Sequence, residues 1–442
     1  LFGGDLELVP SKGRFMEHMT DHPSRTETAA ELHARPFPTV SAPARAAFFA
    51  YTSSTDEGGR DESADRAHFL RLLDCYGVPH PSDKLTHFFG QLGAAWVKWE
   101  CHTEFVTYTA IINGLGDLAF DGSDFAVFPP DWQAEMPGKI LTSTSLRIEL
   151  DLDISRIKDK LSSWFERESL AVSRVLDNAA VIAGDYRADS NGHLRFAVFV
   201  PESTGRRRVG RIVQRLNEIE IYKTMSMLGL MRSRSLSAEL NTVDANLSAL
   251  VANLADDRVL AEDNLHGLLQ LSADLEGHSA AVAYRFAATK AYSAIVAQRI
   301  EVLREGQFEG RQTFREFMMR RFDPAMRTVQ ACDGRLQDLI SRAIRTGDLL
   351  RTRVDVERQS QSQNLLSSMN RRADAQLQLQ KTVEGLSIVA ISYYATGLTL
   401  YVLAPFSDFI GVSKGILTAA IVPVVVGLVY LALRRIRKGF RN

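Results

Sequence analysis

Two stretches near the C-terminal end carry no charged residue, and they constrain the fold more than any other feature of the chain. Gly385 to Phe406 (GLSIVAISYYATGLTLYVLAPF) runs for 22 residues and Gly415 to Leu433 (GILTAAIVPVVVGLVYLAL) for 19. A helix needs about 20 apolar residues to cross a hydrocarbon core of roughly 30 Å, so both are expected to span a lipid bilayer. Only Ser407 to Lys414 separates them, which requires an antiparallel hairpin. Arg371, Arg372 and Lys381 precede the first span. Arg434, Arg435, Arg437, Lys438 and Arg441 follow the second, and the loop holds Lys414 alone. Excess basic charge stays on the cytoplasmic side, so both termini are expected in the cytoplasm. The tail 434–442 is the basic end of the molecule.

Within the first span, Ser392, Thr396 and Thr399 are spaced four and three apart and share one helical face. Three readings stay open for them. The hydroxyls can bond to the carbonyl four residues back, pack against another helix with Gly397 allowing close approach, or line a pore. Asp408, in the loop between the spans, would concentrate cations at the mouth of such a pore. Pro423 would kink the second span, which membrane helices tolerate.

Upstream the pattern is helical for a long way. Asp323-Pro324 is a helix start, with proline in the first turn, and the next proline is Pro405. A continuous helix from Pro324 to Glu384 would be roughly 90 Å long. Leu336, Ile340, Ala343, Gly347, Leu350 and Val354 mark a narrow seam on it. The next segment, ERQSQSQN at 357–364, has no apolar side chain, and is either solvated or lines a wet channel between copies. Before this stalk, Leu236, Leu240, Val243, Leu247, Leu250 and Leu254 form an unbroken four-three series. Leu268, Leu271, Leu275, Val282, Phe286, Val296, Ile300 and Leu303 continue it in a further helix. Residues 206–231 are helical too, with a basic start (Arg206, Arg207, Arg208) that opposes the helix dipole. Such a start serves either an anionic contact or a solvated turn.

Residues 1–43 are expected to form an irregular arm. In its first residues, LFGGDLELVPSKGR, no basic segment precedes an apolar core, so no secretory signal is expected there. From 44 to 205 strands and helices alternate. Strands are expected at 46–52, 139–150, 179–186 and 193–200, and one or two within 96–112. Helices are expected at 64–75 and 154–165, with at most a turn of helix at 132–136. The last two strands flank Ser190-Asn191-Gly192, a hairpin turn. The fold class is therefore α+β. A mixed α/β cytoplasmic domain leads into helical hairpins and a stalk (206–384), then a transmembrane hairpin (385–406 and 415–433).

Composition narrows function. The net charge of −1 and the absence of a basic surface with interleaved aromatics argue against nucleic-acid binding. Three scattered cysteines, Cys75, Cys101 and Cys332, suit a reducing compartment and give no zinc ribbon. No glycine-rich phosphate loop, GxSxG elbow or HExxH occurs, and the chain is not expected to be an enzyme. Two polar clusters remain. In ELHARPFP (31–38) the prolines would hold His33 and Arg35 as fixed donors, or Phe37 and Arg35 would pin the arm to the domain. In KWECHTEF (98–105), a strand running to Glu104 would put Lys98, Glu100, His102 and Glu104 on one face, with Trp99 and Cys101 facing inward. That face is either solvated or, through Glu100, His102 and Glu104, ligates a divalent cation.

ELHARPFP at 31–38, KWECHTEFVTYT at 98–109, LNEIEIYKTMSMLGL at 216–230, SYYATGL at 392–398 and VPVVVGLVYLALRRIRK at 422–438 resemble a family of bacterial membrane-anchored proteins known only as a domain of unknown function. The resemblance spans nearly the whole chain and implies a bacterial inner (plasma) membrane location. The plan of a cytoplasmic domain, a long stalk helix, two spans and a basic tail also resembles the CorA magnesium-transporter superfamily. That likeness implies a homo-pentamer whose first span lines a pore. The superfamily's Gly-Met-Asn motif is missing from the corresponding stretch, YVLAPFSDFIG. On this reading the expected function is a CorA-like homo-oligomer in the bilayer that conducts or senses a cation. The alternative is a membrane-anchored scaffold or envelope-associated interaction protein.

Overall fold

The computed structural model describes residues 22, 24–25, 37–52, 60–81, 86–253, 261–410 and 414–439. The chain divides into two units. The first comprises residues 1–249 and 270–343, the second 250–269 and 344–442.

The first unit is built on one nine-stranded sheet. Its strands are β1 (Ala44–Thr52), β2 (His87–Leu92), β3 (Ala95–Cys101), β4 (Val106–Asn113), β5 (Lys139–Leu150), β6 (Ala171–Val175), β7 (Ala180–Ala188), β8 (Leu194–Val200) and β9 (Gly306–Gln307). They lie in the order β2-β3-β4-β1-β5-β8-β7-β6-β9. The β5/β8 pair is parallel and the other pairs are antiparallel. Helices α1 (Glu62–Cys75), α2 (Pro130–Ala134) and α3 (Ile154–Trp164) precede the long α4 (Arg206–Asn253) and α5 (Ala261–Glu301). Then follow α6 (Phe314–Arg321), α7 (Asp323–Ile410) and α8 (Lys414–Gly439).

Strand β1 shows why the sheet has two covered faces. Its sequence, ARAAFFAYT, is an apolar run rather than an alternation, the pattern of a strand buried on both sides. Ala47, Phe49 and Tyr51 point into a core with Phe69, Leu72 and Leu73 of α1, Trp99, Tyr108 and Trp132. Ala44 and Ala46 point the other way, onto Val209, Ile212, Val213 and Leu216 of α4. Phe48 and Ala50 meet Ile221 and Met225 further along that helix. A third cluster joins Ile157 and Leu161 of α3 to Val172, Val181 and Phe199. The result is a helix–sheet–helix sandwich.

The strands and helices expected between 44 and 384 are present, with α4 continuous across the two expected helical stretches. Three short strands escaped the sequence: β2, β6 and β9. The leucine series is buried from Leu236 to Leu247, and Leu268, Leu271, Leu275, Val282, Phe286, Val296, Ile300 and Leu303 are buried as well. Leu254 lies outside the described residues. On α7 the seam runs through Cys332, Leu336, Leu339, Ala343, Thr346, Leu350 and Val354. Leu339 and Thr346 thus replace the expected Ile340 and Gly347. Neighbouring positions differ by 100° on a helix, so both phases fit the pattern, and packing chose the other one. In the second unit Gly347 meets Leu268 at 3.5 Å from its Cβ position, and Arg358 pairs with Glu262 at 2.8 Å.

His68 makes the first core sensitive to acid. Its Nε2–H donates to the Trp132 carbonyl (2.9 Å), the Trp132 indole donates back to the His68 carbonyl (2.8 Å), and the rings stack at 4.0 Å. Nδ1 is buried without a partner, so a proton there would have no acceptor. Burial accordingly holds the imidazole below its ordinary value of 6.5. Below about pH 6.5 the unfolded chain takes up a proton that the native protein refuses, so this contribution is full above 6.5 and is lost on acidification. The buried carboxyls of Asp65 and Asp124 are pushed up and act in the opposite sense. The stability gap between wild type and His68→Gln is therefore the measure. It should narrow from pH 7.5 to about pH 5.5 in thermal unfolding, and a gap independent of pH would contradict the assignment.

Candidate functional site

The charged face of β3 is not solvated. Val97 and Trp99 point into the α1 core, so Lys98 and Glu100 point to the opposite face, which α4 covers. Lys98 is only 4% exposed. The strand also ends at Cys101, and the His102 N–H bonds to the Phe105 carbonyl (2.9 Å) across a tight turn. The expected row Glu100–His102–Glu104 is therefore broken, because its last two members sit in the turn.

Glu100 and His102 line a cavity of about 240 Å³ between the sheet and α4. Lys98, Thr107 and Thr109 join them from the sheet, and Gln214, Asn217 and Glu218 face them from α4. Arg299 of α5, with Phe37 and Pro38, completes the rim. Gly210 brings the 37–40 segment close, since any side chain there would collide with the Pro38 carbonyl. Val40 then donates to the Arg206 carbonyl at 3.2 Å. Pro38 and Val40 are buried while Phe37 is 46% exposed, so the proline and valine pin this segment rather than the phenylalanine. His33 and Arg35 lie outside the described residues.

The charges in the cavity form one chain. Lys98 Nζ reaches Glu100 Oε1 and Gln214 Oε1, both at 3.0 Å. Gln214 Nε2 donates to Glu218 Oε1 at 2.8 Å, and Arg299 holds Glu218 Oε2 at 2.5 Å. An ammonium can only donate and a carboxylate only accept, so the Gln214 amide has one consistent orientation and links the two ion pairs. Both carboxylates are matched by cations. A bare divalent ion would have to strip Glu100 from Lys98 or Glu218 from Arg299, whereas a small dipolar guest could share them. No group of three or more His, Cys, Asp and Glu suited to a metal ion occurs among the described residues.

Glu104 has another role. It is buried, accepts from Arg285 Nη2 at 2.6 Å and Tyr292 Oη at 2.8 Å, and so ties the β3–β4 turn to α5. Burial and the Glu104 carboxylate push the Tyr292 phenol up, which keeps it a donor.

Two further polar groups fall short of catalysis. Tyr51 Oη donates to Asp65 (2.8 Å), Arg60 pairs with Asp65 (3.0 Å), and Arg60 Nη2 donates to Cys101 Sγ (3.0 Å). Burial pushes the Cys101 thiol up, away from the reactive thiolate. Ser143 Oγ lies 2.8 Å from His193 Nδ1, but Asp189 accepts from the His193 backbone and not from its ring. That arrangement lacks the orienting partner of a nucleophilic triad.

The sequence pattern had not pointed to Gln214, Asn217, Glu218 and Arg299. The signal was present as a polar patch (Gln214, Asn217, Glu218) on a helix whose neighbouring positions are apolar.

In the apolar part of α7, Thr396 Oγ1 donates to the Ser392 carbonyl and Thr399 Oγ1 to the Ala395 carbonyl, both at 2.7 Å. Ser392 is buried, while Tyr393, Tyr394, Leu398, Tyr401 and Val402 are exposed. The hydroxyl stripe is thus on the covered side of the helix. Asp408 belongs to the last turns of α7 rather than to a loop, and its side chain lies outside the described ones. Among the described residues one helical stretch, Phe314–Leu403, which takes in α6 and most of α7, is long and apolar enough to cross a membrane, and a second apolar stretch, Thr418–Ala432, is shorter.

Residues 20–440 match the model of a family described as protein of unknown function (DUF3422). The chain belongs to this family. No curated protein matches it. The family match takes in both the cavity and the apolar helix.

Replacing Glu104 by Gln leaves the largely buried Arg285 without a counter-charge. This should lower unfolding stability by about 3 kcal/mol in denaturant titration of the purified protein. The double change Glu104→Gln/Arg285→Met should recover part of the loss. An unaltered single variant would show that the clamp carries no weight.

Proposed function

We propose that the chain is a homo-oligomeric membrane protein of CorA-like plan that conducts or senses a cation, set in the bacterial inner membrane with both termini cytoplasmic. One observation carries this reading. On α7, Leu365, Leu366, Met369, Leu377, Leu379 and Val383 are each more than half exposed. On a helical projection they fall within one broad arc, which Arg372, Gln376 and Gln380 also enter, and Ser367, Asn370, Arg371, Asp374, Gln378 and Lys381 take the other side. Fully burying one such apolar side chain is worth about 1.5–3 kcal/mol, so six left in water is a face awaiting a cover.

The stripe runs directly into the charge-free segment from Gly385. Whatever covers it must therefore run alongside to the membrane, and a second copy of the same helix does so in a symmetric bundle. Helix α8 has 26 residues, about 39 Å at 1.5 Å per residue, which supports it as the returning span of a hairpin. In this reading the Thr396 and Thr399 hydroxyls, their protons already given to carbonyls, turn oxygen lone pairs toward a hydrated ion.

The alternative is a membrane-anchored scaffold, and the covered position of the hydroxyl stripe favours it, since side chains turned inward serve helix packing. Two measurements separate the readings. Light scattering of the detergent-solubilised protein should give an oligomer, a pentamer on the CorA plan, and Leu365→Ser/Met369→Ser/Leu377→Ser should reduce it to smaller species. A monomeric wild type would remove the basis of the oligomer. Cation uptake into proteoliposomes should fall several-fold in Thr396→Leu, and an oligomer silent to every cation tried would leave the scaffold.

A further inference from the structure

A second cavity, of about 450 Å³, opens where α4 begins and α5 ends, and four arginines line it: Arg208, Arg211, Arg215 and Arg304. The first three are spaced three and four apart, so they stand on one face of α4 over about 10 Å of its length. Arg304 comes from the other wall, just beyond α5, with its backbone in the left-handed region at φ 49°. It pairs with Asp177 at 2.8 Å. Arg215 Nη1 donates to the Val302 carbonyl at 3.2 Å, which fixes that side chain to the wall. Among the described residues the side chains of Arg208 and Arg211 have no partner, and Arg211 Nε is shut off from water. The one carboxylate in the lining is Glu301. Burial first, and then the neighbouring Arg211, push the Arg215 guanidinium down.

We propose that this cavity binds an anion carrying two or more linked phosphates. A guanidinium holds a phosphate through two parallel N–H···O bonds. One or two arginines therefore satisfy a single phosphate, whereas four spread over about 10 Å match a longer polyanion. Arg208 stands in the first turn of α4, where the helix dipole adds positive potential. Arginines there work against the helix unless an anion neutralises them, which accounts for the basic start of α4. The same chemistry is offered by a soluble oligophosphate and by a phosphorylated lipid headgroup.

The test is calorimetric titration of the full-length protein in detergent with pyrophosphate, orthophosphate, ADP and a short-chain phosphatidylinositol bisphosphate. Pyrophosphate is expected to bind at least tenfold more tightly than orthophosphate. Arg208→Gln and Arg211→Gln should each weaken it about tenfold, with the thermal unfolding midpoint unchanged, because neither side chain has a partner to lose. Binding of ADP comparable to pyrophosphate assigns a soluble ligand. Binding of the lipid headgroup alone assigns the membrane, and in both cases the variants must lose it. Absence of binding by all four, or affinity indifferent to both variants, overturns the proposal.

Discussion

Polar side chains at the centre of the nine-stranded sheet have to look for partners inside the protein, because helices cover both of the sheet's faces there. This constraint follows from the apolar runs in β1, β7 and β8, which leave no wet side. It explains why Lys98 is joined to Gln214 and Glu100, and why Thr144 donates to Asn217 at 3.0 Å. Glu220 is likewise held by Thr142 and Thr224, each at 3.0 Å. A buried polar group left unpaired costs about 1–3 kcal/mol. The polar row Gln214, Asn217, Glu218 on α4 is therefore the complement of the polar row on β3 and β4, and the cavity is what remains where the two rows do not fully close.

The same helix makes two kinds of close contact. Where Gly210 meets the Pro38 carbonyl, α4 approaches backbone. Where Gly229 meets Thr289, it approaches a side chain of α5. In both cases a methyl group would push the elements apart, so glycine costs some helix propensity in exchange for proximity. Beyond Met231 the contacts change to leucines at four-three spacing, which need no such approach and tolerate a longer, more uniform seam.

Much of this was legible in the chain. The apolar series predicted burial at Leu236, Leu240, Val243 and Leu247 on α4 and at Leu268, Leu271, Leu275, Val282, Phe286, Val296 and Ile300 on α5, while Leu250 is half-buried. The strands long enough to show a pattern were also found. β2 was missed because HFFGQL contains a glycine and lies at the sheet's edge; β6 and β9 are too short to show any period. The reading of Lys98, Glu100, His102 and Glu104 failed for a different reason. Alternation tells which residues share a face and says nothing about what lies over it. A helix arriving from more than a hundred positions later turned an apparent outer face into a cavity wall, and a turn at His102 took Glu104 away to Arg285. The arginine cavity has the same origin, since Arg304 joins Arg208, Arg211 and Arg215 only through the fold.

The stripe on α7 sets a limit on what kind of oligomer can form. Leu365, Met369, Ala373 and Leu377 repeat every four residues, a longer step than the 3.6 of the helix, so the stripe drifts around the axis rather than staying straight. Helices that keep such a stripe together cross or coil in the right-handed sense, which is looser than the narrow heptad seam upstream at Leu336, Leu339 and Ala343. The polar segment 357–364 lies between these two seams and has neither. In the proposed oligomer, a helix built this way would hold its copies together through the stripe while leaving the polar stretch free to change its separation. In the proposed reading, that is the mechanical requirement for coupling the sheet domain to the apolar helix without unfolding either.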